Sequence, residues 1–130
     1  MAGVHGNEVG TVKLATKILN YLNLNKEKIG WSQVFVIPCL NLDGYQRAKK
    51  NPDYVHRGKA GRLNANQVDL NRNFIDQTES EIKALINFIK QEDIKNIIAL
   101  HSVESKIFID PDRQSEIENK WAEIYKKFAK

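Results

Sequence analysis

Gly3-Val4-His5-Gly6-Asn7-Glu8-Val9, almost at the first residue, is the stretch from which the fold is read. Gly3 and Gly6 flank a histidine that forms a His-x-x-Glu pair with Glu8, and Val9, Val12, Ala15, Ile18, Leu19 and Leu22 then recur at helical spacing. The pattern predicts a buried strand turning into an amphipathic helix at the pair. Open α/β proteins place their ligands at that edge of the sheet. A His and a Glu three residues apart mark only a polar turn when nothing else accompanies them. Here a remote histidine, His101 of Leu100-His101-Ser102, closes the apolar run Asn96-Ile97-Ile98-Ala99-Leu100. Zinc in hydrolases is commonly held by three ligands drawn from His and a carboxylate, with one position left for water. A short-spaced pair plus one distant ligand fits that arrangement.

A second concentration lies between them. Arg62-Leu63-Asn64-Ala65-Asn66-Gln67-Val68-Asp69-Leu70-Asn71-Arg72-Asn73-Phe74 packs two arginines and four asparagines into thirteen residues. Asn and Asp favour turns and local backbone bonds, so the plain reading is a solvated irregular loop. The functional reading is an anion site. The guanidinium fork matches a carboxylate with two parallel hydrogen bonds, and asparagine adds a neutral donor beside it.

His5-x-x-Glu8, Asn41-Leu42-Asp43-Gly44, Arg62-x-Asn64 leading into Asp69-Leu70-Asn71-Arg72-Asn73-Phe74, and Leu100-His101-Ser102 stand in the motif order of the M14 zinc carboxypeptidases. Over essentially its whole length the chain resembles that family, most closely its bacterial branch of murein peptide amidases. The neighbouring succinylglutamate desuccinylase and aspartoacylase branch shares much of the pattern. The resemblance implies that His5, Glu8 and His101 ligate one zinc ion, that Arg62 polarises the scissile carbonyl, and that Asn71 and Arg72 grip the terminal carboxylate. It implies an α/β fold of the phosphorylase/hydrolase-like kind, a layered mixed β-sheet with flanking helices, present here in truncated form. The activity it implies is removal of a C-terminal residue from peptides by metal-activated water. Hydrolysis of N-acyl amino acids and a catalytically inactive zinc- or peptide-binding fragment are the alternatives.

Three positions depart from the family pattern: Gln67 for a common glycine, Ile75 for a frequent proline and Leu42 for the proline of the Asn-Pro-Asp-Gly turn. Gln67 is expected to place a β-carbon where the backbone prefers positive φ. Family members also carry a general-base glutamate well beyond the third ligand, which this sequence does not reach. The expectation is therefore a partial catalytic domain over residues 1–130, with uncovered apolar surface that promotes self-association. Glu104, just past His101, reads as a surface charge rather than a substitute base.

The 130 residues suit one domain. Lys and Arg number 20 against 16 Asp and Glu, a net charge of +4. Runs such as Lys26-Glu27-Lys28 and Glu79-Ser80-Glu81-Ile82-Lys83 interleave the signs, the look of a solvated face rather than a nucleic-acid surface. The basic concentration Arg47 to Arg62, with Lys49, Lys50, Arg57 and Lys59, reads as an exposed loop that attracts an anionic substrate, and His56 within it as a surface histidine. The substrate that the resemblance implies is a peptide or acylated amino acid with a free carboxylate. The one cysteine, Cys39, sits among apolar neighbours as a buried thiol. No apolar run approaches the ~18 residues of a membrane span and none resembles a secretory signal, so a cytoplasmic location is the default.

The coarse order alternates. A helix is expected from Glu8 to about Asn23, a buried strand over Val34-Phe35-Val36-Ile37-Pro38, and a long loop from Asn41 to Gln77. Stretches without regular structure beyond ~15 residues are usually functional or disordered, and function is favoured here. Thr78-Glu79-Ser80-Glu81 matches a capping box ahead of a helix striped by Ile82, Leu85, Ile86 and Ile89. Asn96–Leu100 is then the strand delivering His101. Ile107-Phe108-Ile109 is expected as a next strand, and Ile117, Trp121, Ile124 and Phe128 as the stripe of a last helix.

Overall fold

The computed structural model describes residues 1–51 and 61–102. His56, Glu104, the expected strand at Ile107–Ile109 and the expected last helix lie outside the described residues. Helix α1 spans Val9–Leu24, α2 Leu42–Lys50 and α3 Ser80–Gln91, with single 3-10 turns at Lys26–Lys28 and Leu70–Arg72. None of the three helices is long and apolar enough to cross a membrane.

α1 forms where the spacing places it. Thr11, Val12 and Ala15 are buried at its start, whereas Ile18 and Leu24 near its end are exposed, so the stripe is covered only over its first turns. Glu8 stands at the N-cap, yet its carboxylate caps nothing; instead Thr11 Oγ1 donates to the Glu8 carbonyl at 2.8 Å. The turn from His5 to Glu8 is closed by Glu8 N–H donating to the His5 carbonyl at 3.2 Å. That frees the acidic side chain to face back towards His5.

Among the described residues there is no β-strand, which corrects the expected strands at Val34–Pro38 and Asn96–Leu100. Both segments are extended and flank the first residues without forming ladders. Met1 donates its terminal amine to Ile98 O at 2.6 Å and accepts from Leu100 N at 2.9 Å, the slanted pattern of parallel neighbours. On the other side Ala2 donates to Ile37 O and accepts from Leu40 N, one residue more than a regular parallel register allows. Pro38, which has no N–H, lies inside that extra step. Gly3 then leaves the extended region at φ 62, where an added Cβ would stand 3.0 Å from Cys39 Cα, Cys39 Sγ and Val12 Cγ2. Nor is the second segment a buried strand, because Val34 and Phe35 are exposed.

The expected structureless loop from Asn41 to Gln77 instead contains α2. Asn41 is buried and caps it, accepting from Gly44 N at 2.9 Å. Asp43 in the first turn and Arg47, Lys49 and Lys50 in the last suit the helix dipole, so the start of the expected basic loop, residues 47–50, is helical. The capping box at Thr78 is also not formed. Glu79 is the N-cap of α3 without a side-chain cap bond, and the Thr78 hydroxyl accepts from Asn73 Nδ2 at 2.7 Å.

The core is small. Val4, Leu70 and Ile82 are fully buried together, with Met1, Leu40, Phe74 and Ile86 packed against them. This cluster ties the first segment to the polar loop and to α3, and so sets the metal turn against the loop that carries Arg62.

Candidate metal centre

His5 and Glu8, both buried, and the more exposed His101 bring one donor atom each within 4.8 Å of one another. His5 Nδ1 lies 2.9 Å from Glu8 Oε1, and His101 Nδ1 lies 3.2 Å from Glu8 Oε2. The two imidazoles stand 5.2 Å apart between centroids at 58°. They converge on one carboxylate from different segments.

Asp69, quoted in the polar run but given no role there, completes the arrangement. Its Oδ1 lies 3.0 Å from His5 Nε2 and accepts from Asn71 N at 2.9 Å. Its Oδ2 accepts from Arg62 Nε at 3.2 Å and Nη2 at 2.9 Å. A metal-ligating histidine usually gives its other ring nitrogen to a carboxylate, and that rule is the signal that could have found Asp69.

The donor set fits a divalent cation on three grounds. Both ring nitrogens of His5 face carboxylate oxygens, whereas a neutral imidazole carries a single N–H. A cation at Nδ1 leaves that proton on Nε2 for Asp69. Among the described residues buried Glu8 Oε2 has no hydrogen-bond partner, since its approach to His101 lacks hydrogen-bond geometry. Finally, burial by itself would raise the Glu8 carboxyl, but the adjacent imidazoles of His101 and His5 outweigh it and hold the group at about 2. An ionised carboxylate between two imidazoles is what metal binding requires. Asp69 is likewise lowered, its burial being outweighed by Arg62 and His5.

The other site residues expected from the sequence are placed unequally. Arg62 is part of the cluster through Asp69, with a side chain 30% exposed. Asn71 and Arg72 sit on the 3-10 turn Leu70–Arg72, where Asn71 contributes its backbone N–H to Asp69 and Arg72 is exposed. Gln67 does adopt φ 61, the positive value expected for a position that glycine would suit. A cavity of about 420 Å³ opens elsewhere, between Met1, Phe35, Phe88 and Ile98, and none of the three donors lines it.

A family model described as zinc carboxypeptidase, the M14 peptidases, matches residues 1–130. The chain belongs to the zinc carboxypeptidase family. It is 32% identical to carboxypeptidase D of Anas platyrhynchos over 84 residues, covering 59% of this chain and 6% of that protein. Against carboxypeptidase D of Homo sapiens the identity is 28% over 130 residues, covering 92% of the chain and 9% of the relative. Carboxypeptidase M of Mus musculus is 30% identical over 106 residues, covering 71% and 23%. The chain thus spans less than a quarter of the length of these relatives. No solved structure matches it significantly. Membership of this zinc carboxypeptidase family supports an α/β fold and zinc as the ion that the donor set suits.

Proposed function

We propose that the chain carries the metal centre of a zinc-dependent carboxypeptidase site that releases the C-terminal residue of a peptide. The observation that carries this reading is the convergence of His5, Glu8 and His101, with an orphaned carboxylate oxygen among them. These three residues would hold the zinc. Bound there, zinc polarises a carbonyl and brings the pKa of water to about 7.

The remaining chemistry falls to the chain's own side chains. Asp69 orients His5 through Nε2 and holds Arg62 with a paired contact. Arg62, turned from Asp69 towards the substrate carbonyl, stabilises the oxyanion that forms there; a fixed donor in that role contributes roughly 3 kcal/mol. Asn71 and Arg72 bind the terminal carboxylate, which aligns the last residue of the substrate. The exposure of Arg72 suits a group that meets its ligand from solvent. The extended segments on either side of Met1 and Ala2 would belong to a layered, mixed β-sheet flanked by helices.

The test is metal stoichiometry followed by substrate preference. His101→Ala should lose zinc by elemental analysis, and a full equivalent of zinc in that variant would falsify the ligand assignment. Arg72→Ala should weaken peptide acids far more than the matching peptide amides, and equal loss for both would remove its role at the carboxylate.

A further inference from the structure

Three consecutive carbonyls of the segment that carries Arg62 are held by side chains of one helix. Asn41, the N-cap of α2, donates from Nδ2 to the Arg62 carbonyl at 3.0 Å. Arg47, in the last turn of α2, donates from one Nη2 to the carbonyls of Leu63 and Asn64, each at 2.6 Å. The helix and the segment also touch through bare backbone. A Cβ at Gly44 would lie 2.4 Å from the Gly61 carbonyl oxygen, and one at Gly61 would lie 2.4 Å from that of Gly44.

Hydrogen bonds from a charged donor are roughly twice as strong as neutral ones. Fixing the carbonyls of residues 62, 63 and 64 orients the peptide planes that follow Arg62, and so restrains the direction in which its side chain leaves the backbone. From there Arg62 meets Asp69 with both Nε and Nη2. We propose that Arg47 is a positioning residue: it anchors the backbone behind Arg62 and thereby sets the direction from which the Arg62 guanidinium meets Asp69, the carboxylate partner of His5. The proposal rests on the reading of Arg62 as the residue that stabilises the oxyanion. Arg47 itself acts only through the backbone it holds.

The experiment follows the Nε–Hε resonance of Arg62 in the full chain labelled with nitrogen-15, assigned by its disappearance in Arg62→Lys. In Arg47→Ala the resonance should move towards that of an unbonded arginine, with hydrogen exchange about tenfold faster, the expected loss for one charge-assisted bond. Arg47→Lys, which keeps the charge and a donor, should restore part of the shift. An unmoved Arg62 resonance in a folded Arg47→Ala overturns the proposal. Should that variant not fold, Arg47→Gln carries the test, because a neutral and shorter side chain cannot hold both carbonyls. An unmoved resonance there, or failure of both variants to fold, likewise overturns it. Zinc content is measured separately on the parent chain, so a failed ligand assignment is distinguished from a failed positioning role.

Discussion

The two sides of the first segment are built in opposite ways. On the side of His5 every neighbour is fixed: Glu8, Asp69 and Arg62 are joined by short polar contacts, and Gly6, Gly44 and Gly61 let three pieces of backbone meet without side chains between them. Away from His5 the apolar groups stand open, with Ile98 57% and Val34 51% exposed and Trp31 in full contact with solvent. Binding geometry is over-determined on one side and packing is thin on the other. In this chain the precision needed by a metal centre therefore comes from hydrogen bonds and close backbone contact more than from the size of the core.

The sharpest way to break the fixed side is Gly6→Ala. Its Cβ would fall 2.1 Å from Gly44 C and Tyr45 N, and neither backbone atom can swing aside. The cost should exceed about 3 kcal/mol, the upper end of over-packing, read as a shift in denaturant midpoint at constant slope. A loss below about 1 kcal/mol would mean that the three segments are looser than their contacts indicate. Next in size is Asp69→Asn, which keeps an oxygen but removes the charge facing His5 and Arg62. Zinc affinity should fall about 10- to 100-fold in chelator competition, as for other carboxylate partners of ligating histidines. Unchanged affinity would reduce Asp69 to a partner of Arg62 alone.

That asymmetry also explains which parts were legible in the sequence. The His5–Glu8 turn and α1 could be read because the helical spacing begins directly after the pair, and His101 because an apolar run ends on it. Asp69 was legible only through the rule that a ligating histidine gives its second nitrogen to a carboxylate, since composition alone does not tell which side chain of the run turns inward. α2 was hidden because Asn41-Leu42-Asp43-Gly44 carries the residues of a turn, and the same Asn41 that suits a turn also caps a helix. The strands were overestimated for a related reason. Apolar runs at 34–38 and 96–100 reveal a preference for extension, but whether a ladder forms depends on partners such as Gly3 and Pro38 that interrupt it.

A third expected outcome probes the far end of the polar loop. The hydrogen bonds of Asn64 and then Asn66 hold the Glu79 carboxyl below its ordinary 4.5, against the opposing effect of burial. The folded state therefore favours the ionised form more than the unfolded chain does. Its contribution is present in full above that ordinary value and declines as pH falls through it to the lowered one. Glu79→Gln should flatten the acid limb of the stability profile relative to the parent while leaving its slope at neutral pH unchanged. Parallel acid limbs in the two proteins would show that the network adds nothing through charge.

The smallest effect belongs to the open side. Ile97 and Ile98 are 52% and 57% exposed, and threonine keeps their β-branching and extended preference. Each Ile→Thr substitution should change stability by less than about 0.5 kcal/mol, because little apolar area leaves or enters water. A cost of about 2 kcal/mol apiece is the signature of full burial, and would mean that this face is covered in solution and as closely packed as the metal side.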